Sequence, residues 1–337
     1  MQPRSFTAAL AAVAGSALIL TACSQPADQS SDEDSGSLSI ATGTTSGIYY
    51  PVGGAMSEII NGELDDVSAS AEATGASVEN LRLLNSGDSD LAIVQGDAAY
   101  QAFHGAGEFE DGAIENQSLM VLYPNVYHAV SLESIHENLE LNCFSDIAGH
   151  RFSVGAPGSG NELATNLVFD ALGMSPDSDI SRQRYAYAET ARALRDGQVD
   201  AGSWVVGEGH GSLGELEATN PIHLIPICDD EVSQVTDEHP FYTPHTIDAG
   251  TYSTVTDDVQ TIALWNIVAV SPDMSEERGY ELAKTLYENV GSINQVYAAG
   301  EEYLNLETLE FSPVPLHPGV IKYAEEQGVT IPDELRP

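Results

Sequence analysis

Two glycine-rich segments carry residue types that bind small anions: GTTSGIYYP at 43–51 and GAPGSGNE at 155–162. Each follows a short apolar run and opens a helical pattern. Each therefore sets unpaired backbone N–H groups and a positive dipole end beyond the carboxyl end of a strand. In the first segment Gly47 and Ile48 offer N–H groups, and Thr45, Ser46, Tyr49 and Tyr50 offer hydroxyls. In the second, Ser159 offers a hydroxyl, and Gly160 and Asn161 offer N–H groups. Two such ends facing one cleft would hold a small carboxylate without a cation. A third cluster, EATGASVEN at 72–80, runs from a loop into a helix and brings Ser77, Val78 and Asn80 to the same side. Ser77 suits the helix cap. Gln95 and Asp97 close the next strand. Asp97 would either accept from a ligand ammonium group or cap the following helix, and Gln95 suits either pole. Trp204 ends the corresponding later strand, where it would either wall the pocket or fill a core. Tyr187 follows the strand before it.

Covalent and metal chemistry find little support. Ser159 lies between two glycines, but G-x-S-x-G is absent and no His or Asp has a spacing that supports a triad. The nine histidines are scattered, with no H-x-x-x-H or H-E-x-x-H, and no EF-hand loop occurs. The expectation is no metal, no cofactor and no enzymatic turnover. Of three cysteines, Cys23 belongs to the N-terminal signal described next. Cys143 and Cys228 then remain, to pair in an oxidising compartment or to stay free.

The 337 residues hold 52 acidic against 11 basic side chains, a formal charge of −41. Such a chain repels phosphate backbones, so nucleic acid is excluded as a partner. The acidity is spread along the chain, which suits life in high salt, where ions screen the self-repulsion. Residues 1–22 carry Arg4 and then an apolar run from Phe6 to Leu20, the pattern of a signal peptide. The run ends in Leu20-Thr21-Ala22-Cys23, which resembles a bacterial lipobox with Cys23 as the lipidated residue. The segment 23–37 is rich in Ser, Asp and Gln and reads as a flexible tether. The expected location is outside the cytoplasmic membrane, touching it through the lipid alone.

The elements that position these residues repeat. LSIATGTTSGIYYPVGGAMSEII and RFSVGAPGSGNELATNLVFDALG both read strand, glycine turn, helix. Each is followed by L-x-x-G-x-x-D, at Leu84-Gly87-Asp90 and Leu194-Gly197-Asp200, and then an apolar strand. Gly43 to Gly155 is 112 residues and Gly87 to Gly197 is 110. Near-equal offsets point to two similar α/β lobes rather than one sheet. The apolar runs at 123–132 and 261–272 fall outside the repeat and read as two hinge strands. Lobe 1 is then 38–125 plus 266–337, and lobe 2 is 126–265, with a central cleft between them.

GTTSGIYYPVGGA at 43–55, ATGASVENLRLL at 73–84, DLAIVQGDAAY at 90–100 and DIAGHRFSVGAPGSGNE at 146–162 resemble the TAXI family of extracytoplasmic solute receptors of TRAP transporters. The resemblance implies a two-lobed periplasmic-binding-protein fold, type II-like, closing on a glutamate-like amino acid or dicarboxylate. It also implies TRAP membrane permease subunits as partners; the alternative is the binding protein of an ATP-driven importer. The family's ligand loops fall on Gly47, Ile48, Tyr49, Tyr50, Ser77, Val78, Asn80, Gln95, Asp97, Ser159, Gly160 and Asn161. Asn161 and Asn125 stand where the family often has Thr and Glu, so ligand identity does not carry over.

Overall fold

The computed structural model describes residues 36–337. The signal segment, Cys23 and the tether up to residue 35 lie outside the described residues. In chain order the elements are β1 (Gly36–Ala41), α1 (Tyr49–Glu63), β2 (Val67–Glu72), α2 (Ser77–Ser86), β3 (Leu91–Gln95), α3 (Gly96–His104), β4 (Gln117–Leu132) and α4 (Glu133–Leu139). Then come β5 (Arg151–Ser153), α5 (Gly160–Ala171), β6 (Ser181–Gln183), α6 (Tyr187–Arg195), β7 (Ala201–Val206), α7 (Gly211–Glu217), β8 (Ile222–Ile225), α8 (Asp229–Glu238) and β9 (Thr243–Ile247). The chain closes with β10 (Val259–Val270), α9 (Glu276–Glu288), α10 (Val290–Val296) and α11 (Pro318–Glu326).

The repeat is a repeat of topology. β1 pairs in parallel with β2 and β3, and β5 pairs in parallel with β6 and β7. Each set is a β-α-β-α-β unit with its first strand in the middle. The L-x-x-G-x-x-D motif does the same work twice. Gly87 caps α2 at φ +75°, and Gly197 follows α6 at φ +64°, both in the left-handed region that glycine enters freely. Asp90 then accepts from the Ser39 N–H of β1 at 2.8 Å, and Asp200 from the Arg151 N–H of β5 at 2.9 Å. In each unit one aspartate locks the third strand to the first.

The two units do not form separate sheets, as the sequence suggested. The strand order β2-β1-β3-β10-β4-β7-β5-β6 is one continuous path, with β8 added to β4 and β9 to β10. The reason is the length of β4 and β10, 16 and 12 residues. Both run antiparallel through the middle. β10 joins β3 through Asn266–Val270, and β4 joins β7 through Val126–Ser131. The curled mixed sheet, helices on its faces, is the α/β architecture expected for a periplasmic-binding-protein-like fold. β1 also starts earlier than the tether reading allowed, because Gly36 and Ser37 pair with Val67 and Ser68.

β3 and β4 are buried almost throughout, as strands covered on both faces must be. The second unit fills its core with Phe144, Phe152 and Phe169, packed edge to face at 5.3, 6.0 and 6.1 Å. Each is fully buried and contributes roughly 2–3 kcal/mol. The C-terminal helices cover the first unit: α9 and α10 lie against α1, and α11 against α9. Cys143 and Cys228 form a disulfide that ties the approach to β5 to the start of α8, with Cα atoms 5.5 Å apart.

Candidate functional site

A cavity of about 60 Å³ opens where the carboxyl ends of the six parallel strands meet. Four helices begin on it, and the pattern comes from the repeat. The N-cap and first residue of α1 (Ile48, Tyr49) and α2 (Ala76, Ser77) line it from the first unit. Those of α5 (Ser159, Gly160) and α6 (Ala186, Tyr187) line it from the second. Strand ends complete the wall with Gln95, Tyr123, Asn125, Val205 and Val206. Among the described residues, no Asp, Glu, Lys, Arg or His lines it.

The second unit shapes its loop with an ion cluster around the buried Glu162. Ser159 Oγ caps α5 by accepting from the Glu162 N–H at 3.1 Å. The Glu162 carboxylate accepts from the Gly158 N–H at 2.9 Å, one residue ahead of the cap. Arg182 and Arg184 hold that carboxylate at 2.9 and 2.5 Å. Ser159 Oγ also donates to the Ala156 carbonyl at 2.7 Å, so its hydroxyl is committed to the loop. The Gly160 and Asn161 N–H groups donate to nothing within the described residues.

Asparagines anchor the helix starts. Asn80 donates to the Thr42 and Ile93 carbonyls at 2.6 and 2.8 Å, and Asn161 donates to the Ser203 carbonyl at 3.0 Å. At the crossing of β4 and β10, Tyr49 Oη donates to Asn266 Oδ1 at 2.5 Å. That oxygen also accepts from Asn125 at 3.1 Å. Burial pushes the Tyr49, Tyr123 and Tyr187 hydroxyls above their usual pKa, so all three stay neutral.

The two units touch across the cavity. A β-carbon built on Gly160 would stand 1.7 Å from Gln95 Oε1 and 2.6 Å from Ser77 Oγ. Gln95 is 2% exposed, yet neither amide atom has a partner, and the buried Asn161 Oδ1 has none. Unpaired buried polar atoms are costly, and here they border a space that could supply partners.

A model of the NMT1-like family matches residues 40–328. The chain belongs to the NMT1-like family. The chain is also similar to the periplasmic aliphatic sulphonate binding protein SsuA from Escherichia coli, at 14% identity over 86% of this chain and 82% of that one, TM-score 0.49. It is similar to PhnD1 from Prochlorococcus marinus in complex with methylphosphonate, at 13% over 78% and 89%, TM-score 0.49. It is similar as well to a binding protein component of an ABC phosphonate transporter from Pseudomonas aeruginosa, at 13% over 79% of each chain, TM-score 0.49.

In this NMT1-like chain Gly47, Ile48, Tyr49, Ser77, Gln95, Ser159, Gly160, Asn161 and Tyr187 come together on the cavity. Seven expected residues stand off it, Ser46 of the first turn among them. Thr44 takes the place expected for Thr45. Tyr50 turns outward at 38% exposure. Val78 is core, and Asn80 is wholly used in anchoring the strand ends. Ser77 does not cap α2: Ala76 holds that position, and Ser77 Oγ accepts from the Gln95 N–H at 3.0 Å. Asp97 is fully buried in the first turn of α3, accepting from Tyr242 Oη at 2.8 Å and the Ala98 N–H at 2.7 Å. Its pKa is pushed up to about 7 by desolvation. Trp204 is core, its indole N–H donating to Ser212 at 3.0 Å.

The Trp204 outcome follows from strand periodicity. Counting from the repeated aspartates, Gln95 is five residues after Asp90, and Val205 is five after Asp200. Val205 therefore faces the cavity, and the residue before it points to the opposite face. The offset could have found Val205. Asn125, which the family resemblance singles out, lines the cavity, while no sequence signal marks Tyr123 or Tyr185, which reach it from a crossing strand and a loop.

Proposed function

We propose that this chain is an extracytoplasmic solute receptor that encloses a small organic anion between its two units and hands it to a membrane permease. One observation carries the reading: four helix N-termini, two from each repeat, converge on one cavity that no cation lines. Each terminus presents roughly half a positive charge and free N–H donors, so the cavity attracts a negative group despite the chain's charge of −41. The volume holds about four to six waters, which suits a ligand of a few to about ten heavy atoms. The lining offers no general base, which favours binding over turnover. The lobes of this reading are 38–125 plus 266–337 and 126–265. They open by bending β4 and β10 near Asn125 and Asn266. The Gln95–Gly160 contact then belongs to the closed form, stabilised by ligand.

The motifs at 43–55 and 155–162 favour a TRAP-type permease. The alternative, an ATP-driven importer, would use the same cavity, and the similar protein from Pseudomonas aeruginosa is a component of an ABC transporter. No described helix is long and apolar enough to cross a membrane. Thermal-shift titration of the purified chain with small carboxylates, sulfonates and phosphonates tests the receptor. Anions should raise the melting temperature in a saturable way and be recovered unchanged. Stabilisation by cations instead of anions would end the reading. Uptake into vesicles carrying the permease, driven by an ion gradient or by ATP, separates the two partners.

A further inference from the structure

We propose that the cavity selects carboxylates whose second polar group is uncharged, a 2-oxo or 2-hydroxy group, and rejects 2-amino acids of the same skeleton. This rests on the reading of the cavity as an anion site and adds what the rest of the ligand must be. An ammonium group enclosed there would need a counter-charge, because a buried unpaired ion is costly. None is on offer. Among the described residues the only ionisable side chains on the lining are tyrosines, all held neutral by burial where a shift is resolved. The carboxylates that neighbour the lining stand off it and are engaged elsewhere: Glu79 accepts from the Gly75 N–H, Glu162 is held by Arg182 and Arg184, Glu208 contacts His245, and the fully buried Asp97 accepts from Tyr242 and the Ala98 N–H. Four helix N-termini add positive potential, which repels a cation as it attracts a carboxylate.

A second, independent feature says what is accepted instead. Gln95 is 98% buried, and both its amide atoms lack partners at the cavity wall. Asn161 Oδ1 is also buried and unpartnered. Gln95 Nε2 is a donor for a ligand carbonyl or hydroxyl oxygen, and Gln95 Oε1 and Asn161 Oδ1 are acceptors for a hydroxyl proton. A neutral oxygen group beside the carboxylate satisfies these atoms without bringing charge.

The test compares two matched series on the full chain by calorimetric titration: pyruvate, lactate and alanine, then 2-oxoglutarate, 2-hydroxyglutarate and glutamate. In at least one series an oxo or hydroxy member should bind at least about 100-fold more tightly than the amino member, the size of a like-charge mismatch in a desolvated site. Gln95→Glu places a carboxylate on the wall. It should narrow or reverse that preference, with the melting temperature of the free protein checking its fold. Amino members within tenfold of their oxo partners overturn the proposal while leaving the anion reading intact. Binding by no member of either series, with other anions also inert, removes the anion reading and the selectivity with it.

Discussion

Ala76 is where the first unit stores strain. It holds φ +76° and ψ −155°, a region open to glycine and expensive for a residue with a β-carbon. The conformation turns the chain from β2 into α2, with the Ala76 N–H donating to Thr74 Oγ1 at 3.0 Å and Ser77 delivered to the cavity. Ala76→Gly should therefore stabilise the free protein by about 1 kcal/mol, seen as a higher urea midpoint at unchanged slope. A lower midpoint would mean that the strain is absent. Asp97 is the second residue-scale case. Folded, it keeps its proton up to about pH 7; unfolded, it releases it near 3.8. Stability through this group is thus full below 3.8 and is lost as pH rises through 7. Asp97→Asn keeps a neutral side chain against Tyr242, whose hydroxyl can turn to accept. The wild type should lose stability relative to this variant between about pH 4 and pH 7, measured by urea unfolding. Parallel pH profiles would contradict the assignment.

At the scale of elements, the site is made by helix starts, and Gly160 is where two of them come closest. It begins α5 and lies against Gln95 and Ser77. Gly160→Ala puts a methyl group where Gln95 Oε1 stands. The amide must swing away, so the closed contact is lost, while open units bear no such clash. Ligand affinity should fall about tenfold or more, with little change in the melting temperature of the ligand-free protein. An equal loss of both would make Gly160 a fold residue rather than a closure residue. The same elements show what was legible early. Strand, glycine turn and helix were readable at 43–51 and 155–162 because glycine, a cap and an apolar period coincide there. Thr45 and Trp204 each lie one residue from the position that faces the cavity, Thr44 and Val205. In a turn or a strand a one-residue shift changes the face, and composition does not report that shift.

At the scale of the molecule, acidic side chains dominate the surface. The described cations on the outer face are largely paired, among them Arg151 with Asp200 and Arg336 with Glu325, so the excess acids repel one another. Salt shortens the reach of that repulsion from about 10 Å at 0.1 M to about 3 Å at 1 M. The melting temperature should therefore rise between 0.1 and 1 M sodium chloride, in scanning calorimetry. A fall would show that paired surface charges outweigh the excess. The amino-acid sequence alone determined the repeat, the strand-to-helix glycine turns and the net charge, because these depend on local backbone preference and on residue identity. The tertiary structure alone decided that one sheet runs through both units, since strand pairing across about 140 residues, as between Asn125 and Leu264, has no local signature. It also decided that Tyr123 joins the cavity and that Asp97 does not, because burial is a property of what packs around a residue and not of the residue.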